Sequence, residues 1–543
     1  MVAIEEDNDL LVFWEHILRP VPAIANAALP FEDVFTSLVE DQLASHTQLS
    51  PRALASAQRE LLRLLIGICG RPLLATFAAF RDAQGGNYRD FVALLQNAAL
   101  DSFFGEFPEL SRLAALCVKD WTDANGEFSS RWAHDREGLV GMFGDGAAGE
   151  IDDLDISLSD RHGGRTVMRV TFASGLKLIY KPRGMALEQS YFELLAWLNG
   201  HGSPLDFRVV KVLEKPGYGW AECIASEPLQ NLNAARDYFL RAGALQCLLY
   251  VLHATDAHMG NLLASSSWPV LVDAECLLQP LGNSADSDAT EEPIRLLLRA
   301  GLLPQPELFR GEDPDMSGLA GAGGQLTNFR VPVWDHVNSD AMSLRFVQAA
   351  LLPQSNLPSL KGGQLELSGF TAEFLEGFQE MYRYLADRRQ DLLAAGGPLA
   401  RMFSCNARVL LGHTRYYMSV LSQSLRPRYL GDSALRSVML RETLSRETPT
   451  PVPAVLEAET KALERLDIPY FTASARDGWL AAEGRILIPS YFDSAGEEVV
   501  RSRLTGLSAD GLERQSSLLR IIFALSSVHS FRLTTKTGIS ILL

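Results

Sequence analysis

Residues 166–181 hold the most constraining pattern in this chain. Thr166–Phe172 alternates, with Met168, Val170 and Phe172 on one face. Leu176–Lys181 alternates again, with Leu176, Leu178 and Tyr180 on one face and Lys177 and Lys181 on the other. The runs flank Ser174-Gly175, a turn signal, so they are expected to close as a β-hairpin with one buried face. Pro182 ends the second strand, since proline cannot donate to a ladder. Leu187, Tyr191, Leu194, Leu195 and Leu198 then mark one face of a helix.

Around this hairpin the chain divides into four regions. Residues 1–150 read as a helical N-terminal region, with helices expected over Ala53–Ile68, Phe103–Asp120 and Phe128–Phe143. Residues 151–230 carry the hairpin. Residues 231–450 begin with a buried-type helix over Tyr238–Leu252, followed by a polar loop, His253–Asn261. A short strand, a turn at Ser265–Ser267 and the strand Val270-Leu271-Val272 come next. Residues 364–445 read as helical. Residues 451–543 mix helix with short strands. Leu281–Pro293 and Gly311–Gly324 read as exposed segments, and Thr448–Pro453 as a linker.

The chemistry concentrates in Thr255–Asn261 (TDAHMGN) and Asp273-Ala274-Glu275. Asp256 and Asn261 are five apart, the spacing of a catalytic Asp and a magnesium-binding Asn in protein kinases. Asp273 follows Asn261 by twelve residues, across hairpin-like sequence. Phosphoryl transfer asks for this set: hard oxygen ligands for Mg²⁺ at the nucleotide phosphates, and a carboxylate to orient or deprotonate the incoming hydroxyl. Lys181, 75 residues before Asp256, stands where a strand lysine would hold the phosphates. Residues 161–187 hold six basic side chains and no acid, a local basic field suited to an anionic ligand. No G-x-G-x-x-G loop precedes the hairpin; Asp160–Arg165 (DRHGGR) takes that place. Glu193 reads as an exposed helix glutamate, with a pairing to Lys181 as its alternative.

Composition narrows the classes. Lys plus Arg number 49 against 66 Asp plus Glu, a net charge of −17, which disfavours a nucleic-acid binder. No apolar run in the sequence reaches the roughly 18 residues of a membrane span. The N-terminus, Met1–Asp7, is acidic where a secretory signal carries Lys or Arg, so a cytoplasmic protein is expected. The six cysteines form no C-x-x-C pair and read as buried free thiols.

Several strings carry a resemblance. DRHGGR at Asp160–Arg165, LIYKPR at Leu178–Arg183, Tyr218-Gly219-Trp220, TDAHMGN, VLVDAE at Val270–Glu275, GLLP at Gly301–Pro304, DMSGL at Asp315–Leu319, RVLLGHT at Arg408–Thr414 and DIPYF at Asp467–Phe471 run in one order. The chain resembles the dehydratase part of LanM-type class II lanthipeptide synthetases. That resemblance implies an α+β, kinase-like, two-lobed core with extra, mostly helical terminal parts. It also implies a two-step reaction with ATP and Mg²⁺: phosphorylation of Ser or Thr in a precursor peptide bearing a leader, then phosphate elimination. By matching motif, Lys181 is the cofactor-binding residue; Asp256 and His258 are catalytic, with Asn261, Asp273 and Glu275 as metal ligands for phosphorylation. Asp160, His162, Arg408 and Thr414 correspond to residues needed for elimination; a surface helix arginine is the plainer alternative for Arg408. Two positions depart from the pattern. Gly412-His413 stands where the family often has Arg-Pro, and Gly260 where an acidic residue is usual. The family's C-terminal zinc cyclase domain is expected to be absent, with a separate cyclase as a candidate partner. The competing expectations are a kinase that does not eliminate and a non-catalytic precursor-binding subunit.

Overall fold

The computed structural model describes residues 18–20, 28–43, 49–282, 293–311, 314–321, 325–447 and 452–534. The acidic N-terminus, most of Leu281–Pro293, parts of Gly311–Gly324 and residues 448–451 of the expected linker lie outside the described residues.

The N-terminal region is helical. Helix α1 (Pro51–Gln84) is capped by Ser50, whose side chain accepts from the Ala53 N–H, and it ends at Gly85 with φ 66°. It runs one turn after another past Ile68, through Pro72, because Cys69, Leu73 and Phe77 continue the buried face. By length and composition α1 is apolar enough to cross a membrane, which the sequence reading did not anticipate; half of that window is buried within the protein. Helix α2 (Pro108–Phe143) is a single helix where two were expected. Trp121 and Asn125 bridge the gap, both buried on the same face as Cys117, Phe128 and Trp132.

A five-stranded antiparallel sheet follows: β1 (Ile151–Asp155), β2 (Met168–Phe172), β3 (Lys177–Lys181), β4 (Val212–Lys215) and β5 (Tyr218–Glu222), in the order β1-β2-β3-β5-β4. The hairpin register pairs Val170 with Leu178 and Met168 with Tyr180. Its apolar face, with Trp220 added, packs on Phe128 and Trp132 of α2. The other face meets helix α3 (Ala186–Gly200), whose Leu187, Tyr191, Leu194, Leu195 and Leu198 are all buried. Lys181 lies on this second face, at the end of β3.

Helix α4 (Leu232–Val251) starts earlier than its apolar run because Asn231 caps it through the Ala234 N–H. It packs closely on helix α5 (Thr371–Leu393). A Cβ at Gly243 would sit 1.9 Å from the Phe374 carbonyl oxygen, and one at Gly377 1.8 Å from that of Leu240. The hairpin β6 (Leu262–Ser265) and β7 (Trp268–Leu271) turns at Ser266-Ser267, with Ser265 opposite Trp268. It carries Asn261 at its start and Asp273 just past its end.

The stretch expected to be wholly helical is broken by β8 (Asn406–Val409), which precedes helices α6 (Thr414–Ser424) and α7 (Pro453–Glu464). β8 forms a second antiparallel sheet with β9 (Phe471–Ser474), β10 (Leu480–Ala482) and β11 (Arg485–Ile488). Arg408 pairs with Thr472. It is a buried strand residue, not a surface helix arginine. The short apolar run at this point is ambiguous between helix and strand, and a partner strand far along the chain, at Phe471–Ser474, decides it. All six cysteines are free thiols, five of them buried.

Candidate active site

The loop between α4 and β6 turns tightly. Asp256 adopts φ 69°, a left-handed conformation rare for a residue with a side chain. Neighbouring segments hold it by backbone bonds: Thr255 N–H to Cys276 (3.0 Å), Ala257 N–H to Ala300 (2.7 Å) and Met259 N–H to Met316 (2.9 Å). Met316 lies in the DMSGL string and Ala300 directly precedes GLLP. Gly318 N–H donates to Gly301, and a Cβ at Gly318 would sit 2.5 Å from the Ala257 carbonyl oxygen.

Asn261 closes the loop. Its Nδ2 donates to the Asp256 carbonyl (2.9 Å) and to Asp256 Oδ2 (3.2 Å). That orientation leaves Oδ1 as an oxygen donor. Val272 N–H donates to the Asn261 carbonyl at 2.9 Å, so Asp273 emerges beside Asn261. His258 Nε2 lies 3.7 Å from Asp256 Oδ1, while its Nδ1 accepts from the Gly260 N–H at 2.9 Å. Nε2 is then the protonated nitrogen, facing the carboxylate. Burial raises the Asp256 carboxyl above the ordinary range, opposed by His258 and Arg408.

Lys181 reaches this loop from the sheet. Its buried Nζ sits 2.5 Å from Glu188 Oε1 and 3.4 Å from Asp273 Oδ1, and donates to the Val272 carbonyl at 3.3 Å. Glu188, not Glu193, is its helix partner. Glu193 pairs with Arg401 at the surface, the exposed role expected for it. Glu188 went unnoticed in the sequence, although an acid directly beside Leu187 on an apolar helix face was a signal. Burial pushes Glu188 up to about 8, against the pull of Lys181. Burial acts the same way on Asp273, but Lys181 and Arg183 overcome it and hold Asp273 well below the usual carboxylate range.

The residues matched to elimination gather on the same side. In DRHGGR, Gly163 and Gly164 have φ 57° and 76°, a two-residue turn that closes with His162 N–H to Arg165 and back. Arg161 is buried against Asp120 (2.5 Å) and Asp467 (3.2 Å), and Ile468 N–H donates to the Arg161 carbonyl, so DRHGGR and DIPYF lock together. This places Asp160 near Thr414, the first residue of α6. Burial raises Asp160, opposed by the charge of Arg408 and by the nearby Thr414 hydroxyl. His162 Nδ1 lies 2.8 Å from the Ile468 carbonyl, and its ring centroid is 5.1 Å from that of Tyr470. Burial, then Arg408 and Arg183, hold His162 well below the ordinary histidine range. A neutral ring that donates from Nδ1 presents an unprotonated Nε2, which is buried without a hydrogen-bond partner among the described residues.

Glu275 differs from expectation. Its carboxylate faces Arg408 Nη1 (2.6 Å), Arg183 Nε (2.8 Å) and the Tyr470 hydroxyl (3.2 Å), not Asn261. Both oxygens are engaged, so the third metal ligand read from the motif is tied into a cation cluster. Arg183 and Tyr470 belong to the LIYKPR and DIPYF strings but were not singled out. The basic run 161–187 is also less of a free field than its sequence suggested. Arg161, Arg165, Arg169, Lys181 and Arg183 each meet an acid, most of them brought from distant segments.

Among the described residues no group of three or more His, Cys, Asp or Glu is placed to hold a metal ion. The donors present are Asn261 Oδ1 and an ionised Asp273. That set fits Mg²⁺, which is commonly held by one or two protein oxygens and completed by substrate phosphates. At the Arg-Pro departure, Tyr417 fills the space. Its hydroxyl would lie 2.6 Å from a Cβ at Gly412, and it bonds Glu459 at 2.6 Å, while His413 is exposed.

Two comparisons bear on this arrangement. Residues 107–474 match the family described as "Domain of unknown function (DUF4135)". The Lacticin 481/lactococcin biosynthesis protein LcnDR2 of Lactococcus lactis subsp. lactis is 22% identical over 382 residues, covering 66% of this chain and 40% of that protein. The match therefore spans well under half of the relative's length. Together with the ordered motifs, which these matches bear out, they show that the chain belongs to the DUF4135 family, that of the LanM dehydratase region.

Proposed function

We propose that the chain is an ATP-dependent peptide dehydratase of kinase-like, two-lobed α+β fold, acting in lanthipeptide biosynthesis. It phosphorylates Ser or Thr of a leader-bearing precursor peptide and then eliminates the phosphate to leave dehydroalanine or dehydrobutyrine. One observation carries this reading. The segment bearing Asp273 is tied to the residues matched to elimination: Glu275 accepts from Arg408 Nη1 at 2.6 Å and from the Tyr470 hydroxyl at 3.2 Å, and the Tyr470 ring lies 5.1 Å from that of His162. The relative's stated role in lacticin 481 biosynthesis supports the same class of pathway.

In this reading the β1–β5 sheet with α3 forms the smaller lobe, and α4, β6–β7 and α5 belong to the larger. Asn261 Oδ1 and Asp273 would hold Mg²⁺, which when bound neutralises charge on the nucleotide phosphates. Lys181, anchored by Glu188, positions those phosphates. Asp256 orients the Ser or Thr hydroxyl and takes its proton as the oxygen bonds to phosphorus and the bond to the leaving nucleotide oxygen breaks. In the second step the α-proton leaves to a base, the Cα–Cβ double bond forms, and the Cβ–O bond breaks with release of phosphate. His162 Nε2, unprotonated and unpartnered, suits the base. Arg408 steadies the departing phosphate with a guanidinium fork. Hydroxide is a poor leaving group and phosphate a good one, which is why phosphorylation comes first.

The test is to incubate the protein with ATP, Mg²⁺ and Ser/Thr-rich, leader-bearing precursor peptides. A loss of about 18 Da per site supports dehydration, and a gain of about 80 Da marks phosphorylation alone. No mass change with any such peptide rejects the reading. Tyr417 in the space beside Gly412 favours one second reading, a peptide kinase that stops at the phosphorylated product; a persistent gain of about 80 Da would establish it.

A further inference from the structure

Glu275 is surrounded as a phosphate would be. Two guanidinium groups and a phenol converge on its carboxylate: Arg408 Nη1 at 2.6 Å, Arg183 Nε at 2.8 Å and Tyr470 Oη at 3.2 Å. The Tyr470 ring spaces the two cations, with the Arg408 guanidinium carbon 5.1 Å and that of Arg183 5.9 Å from its centroid. Each guanidinium offers Glu275 one nitrogen, and Arg183 turns its Nη2 to Asp273 at 3.1 Å; such planar groups can fork a phosphate as well as a carboxylate. The cluster also keeps donor and acceptor capacity in reserve. Arg408 is 8% exposed, and its Nε has no hydrogen-bond partner among the described residues; the same holds for His162 Nε2. A carboxylate has two oxygens to offer, whereas a phosphate monoester has three terminal ones.

The cluster borders a cleft. His162, Arg183 and Tyr470 are among the residues that line a space of about 940 Å³, shared with α7 and with Arg485 of the outer strand β11, and Arg408 and Glu275 lie behind them. That volume admits a peptide segment bearing a phosphorylated side chain.

We infer that Arg183, Arg408 and the Tyr470 hydroxyl form a phosphate-monoester site, and that Glu275 occupies it as a resident stand-in which an incoming phosphate displaces. The inference deepens the dehydratase reading, on which it rests: Glu275 becomes a plug on the elimination site instead of a metal ligand. It adds Arg183 and Tyr470 to the residues that hold the phosphate. The same oxygens could come from a phosphorylated peptide or from a nucleotide, so the test separates the two.

Inorganic phosphate is titrated into the full chain by calorimetry, without nucleotide or metal. Glu275→Gln keeps the shape and removes the competing charge, so it should bind phosphate at least tenfold more tightly than the unaltered protein. Arg183→Met added to Glu275→Gln should remove that gain. Equal phosphate affinity in Glu275→Gln and the unaltered protein overturns the inference. Tyr470→Phe retains the ring and serves should Glu275→Gln fail to fold: a severalfold weaker phosphate affinity supports the site, and unchanged affinity overturns it. Competition by O-phosphoserine and not by ADP assigns the site to the peptide; competition by ADP alone overturns that assignment. The outcomes stay distinguishable from those of the parent reading. A chain that dehydrates peptide while Glu275→Gln gains no phosphate affinity keeps its function and loses the plug. One that gains affinity and modifies no peptide keeps the anion site and loses the dehydratase assignment.

Discussion

Arg408 is bound twice to Glu275. Its backbone N–H donates to the Glu275 carbonyl at 2.8 Å, and its Nη1 donates to the Glu275 carboxylate at 2.6 Å. Gln279 Nε2 adds a bond to the Arg408 carbonyl at 2.7 Å. The strand bearing Arg408 is thereby stitched to the segment that follows Asp273.

Arg408→Ala should separate the two steps, because the backbone bond to Glu275 remains and Asp256, Asn261 and Asp273 stay in place. Removing one positioned electrostatic donor typically slows a step by about 10²–10³. The variant should still phosphorylate and should accumulate the phosphopeptide. Mass spectra over time check this, and dehydration at the normal rate would remove Arg408 from the mechanism. Arg408→Lys should recover only part of the loss, since an ammonium cannot make the fork.

Asp273→Asn should abolish phosphorylation while preserving shape, because it removes the ionised oxygen donor beside Asn261. Lys181→Met should do likewise and should also leave Glu188 buried without its cation. Peptide mass after incubation with ATP and Mg²⁺ reads both. Wild-type turnover in Asp273→Asn would sink the kinase-type assignment.

The glycine contact between α4 and α5 can be tested without touching the site. Gly243→Ala places a methyl group against the Phe374 carbonyl and forces the helices apart. Overpacking of this kind typically costs about 1–3 kcal/mol. The urea midpoint should fall, whereas Gly67→Ala on α1, where a Cβ meets nothing within 4 Å, should leave it unchanged or raised.

Stability should fall in mild acid through two buried histidines. Burial holds His162 and His253 well below the ordinary histidine range, aided by Arg408 and Arg183 for the first and by Arg503 and Arg299 for the second. Both stay neutral when folded and take up a proton when unfolded. The unfolded chain therefore binds more protons below about pH 6.5, and stability present above that value is lost as pH falls, by about 1.4 kcal/mol per unit per histidine. Glu188, pushed up to about 8, keeps a proton in the folded chain over the same range and offsets one histidine, so urea titrations between pH 7.5 and 5.5 are read as the difference in slope between the protein and its histidine variants. His253→Gln should lower the slope by one proton; an unaltered slope would contradict the assignment.

What the sequence determined by itself is local. The β2–β3 hairpin, the apolar face of α3, the β6–β7 hairpin and the order of Lys181, Asp256, Asn261 and Asp273 all follow from side-chain period, turn residues and spacing. These depend on neighbours a few residues apart, so they are visible in a string. Tertiary structure decided the rest, because its cause is contact between distant segments. Arg408 lies on a strand only because Phe471–Ser474 pairs with it. Glu188 holds Lys181 because α3 packs under the sheet. Glu275 turns to Arg183, Arg408 and Tyr470, three residues from three separate segments, since a buried carboxylate must find cations wherever the fold delivers them.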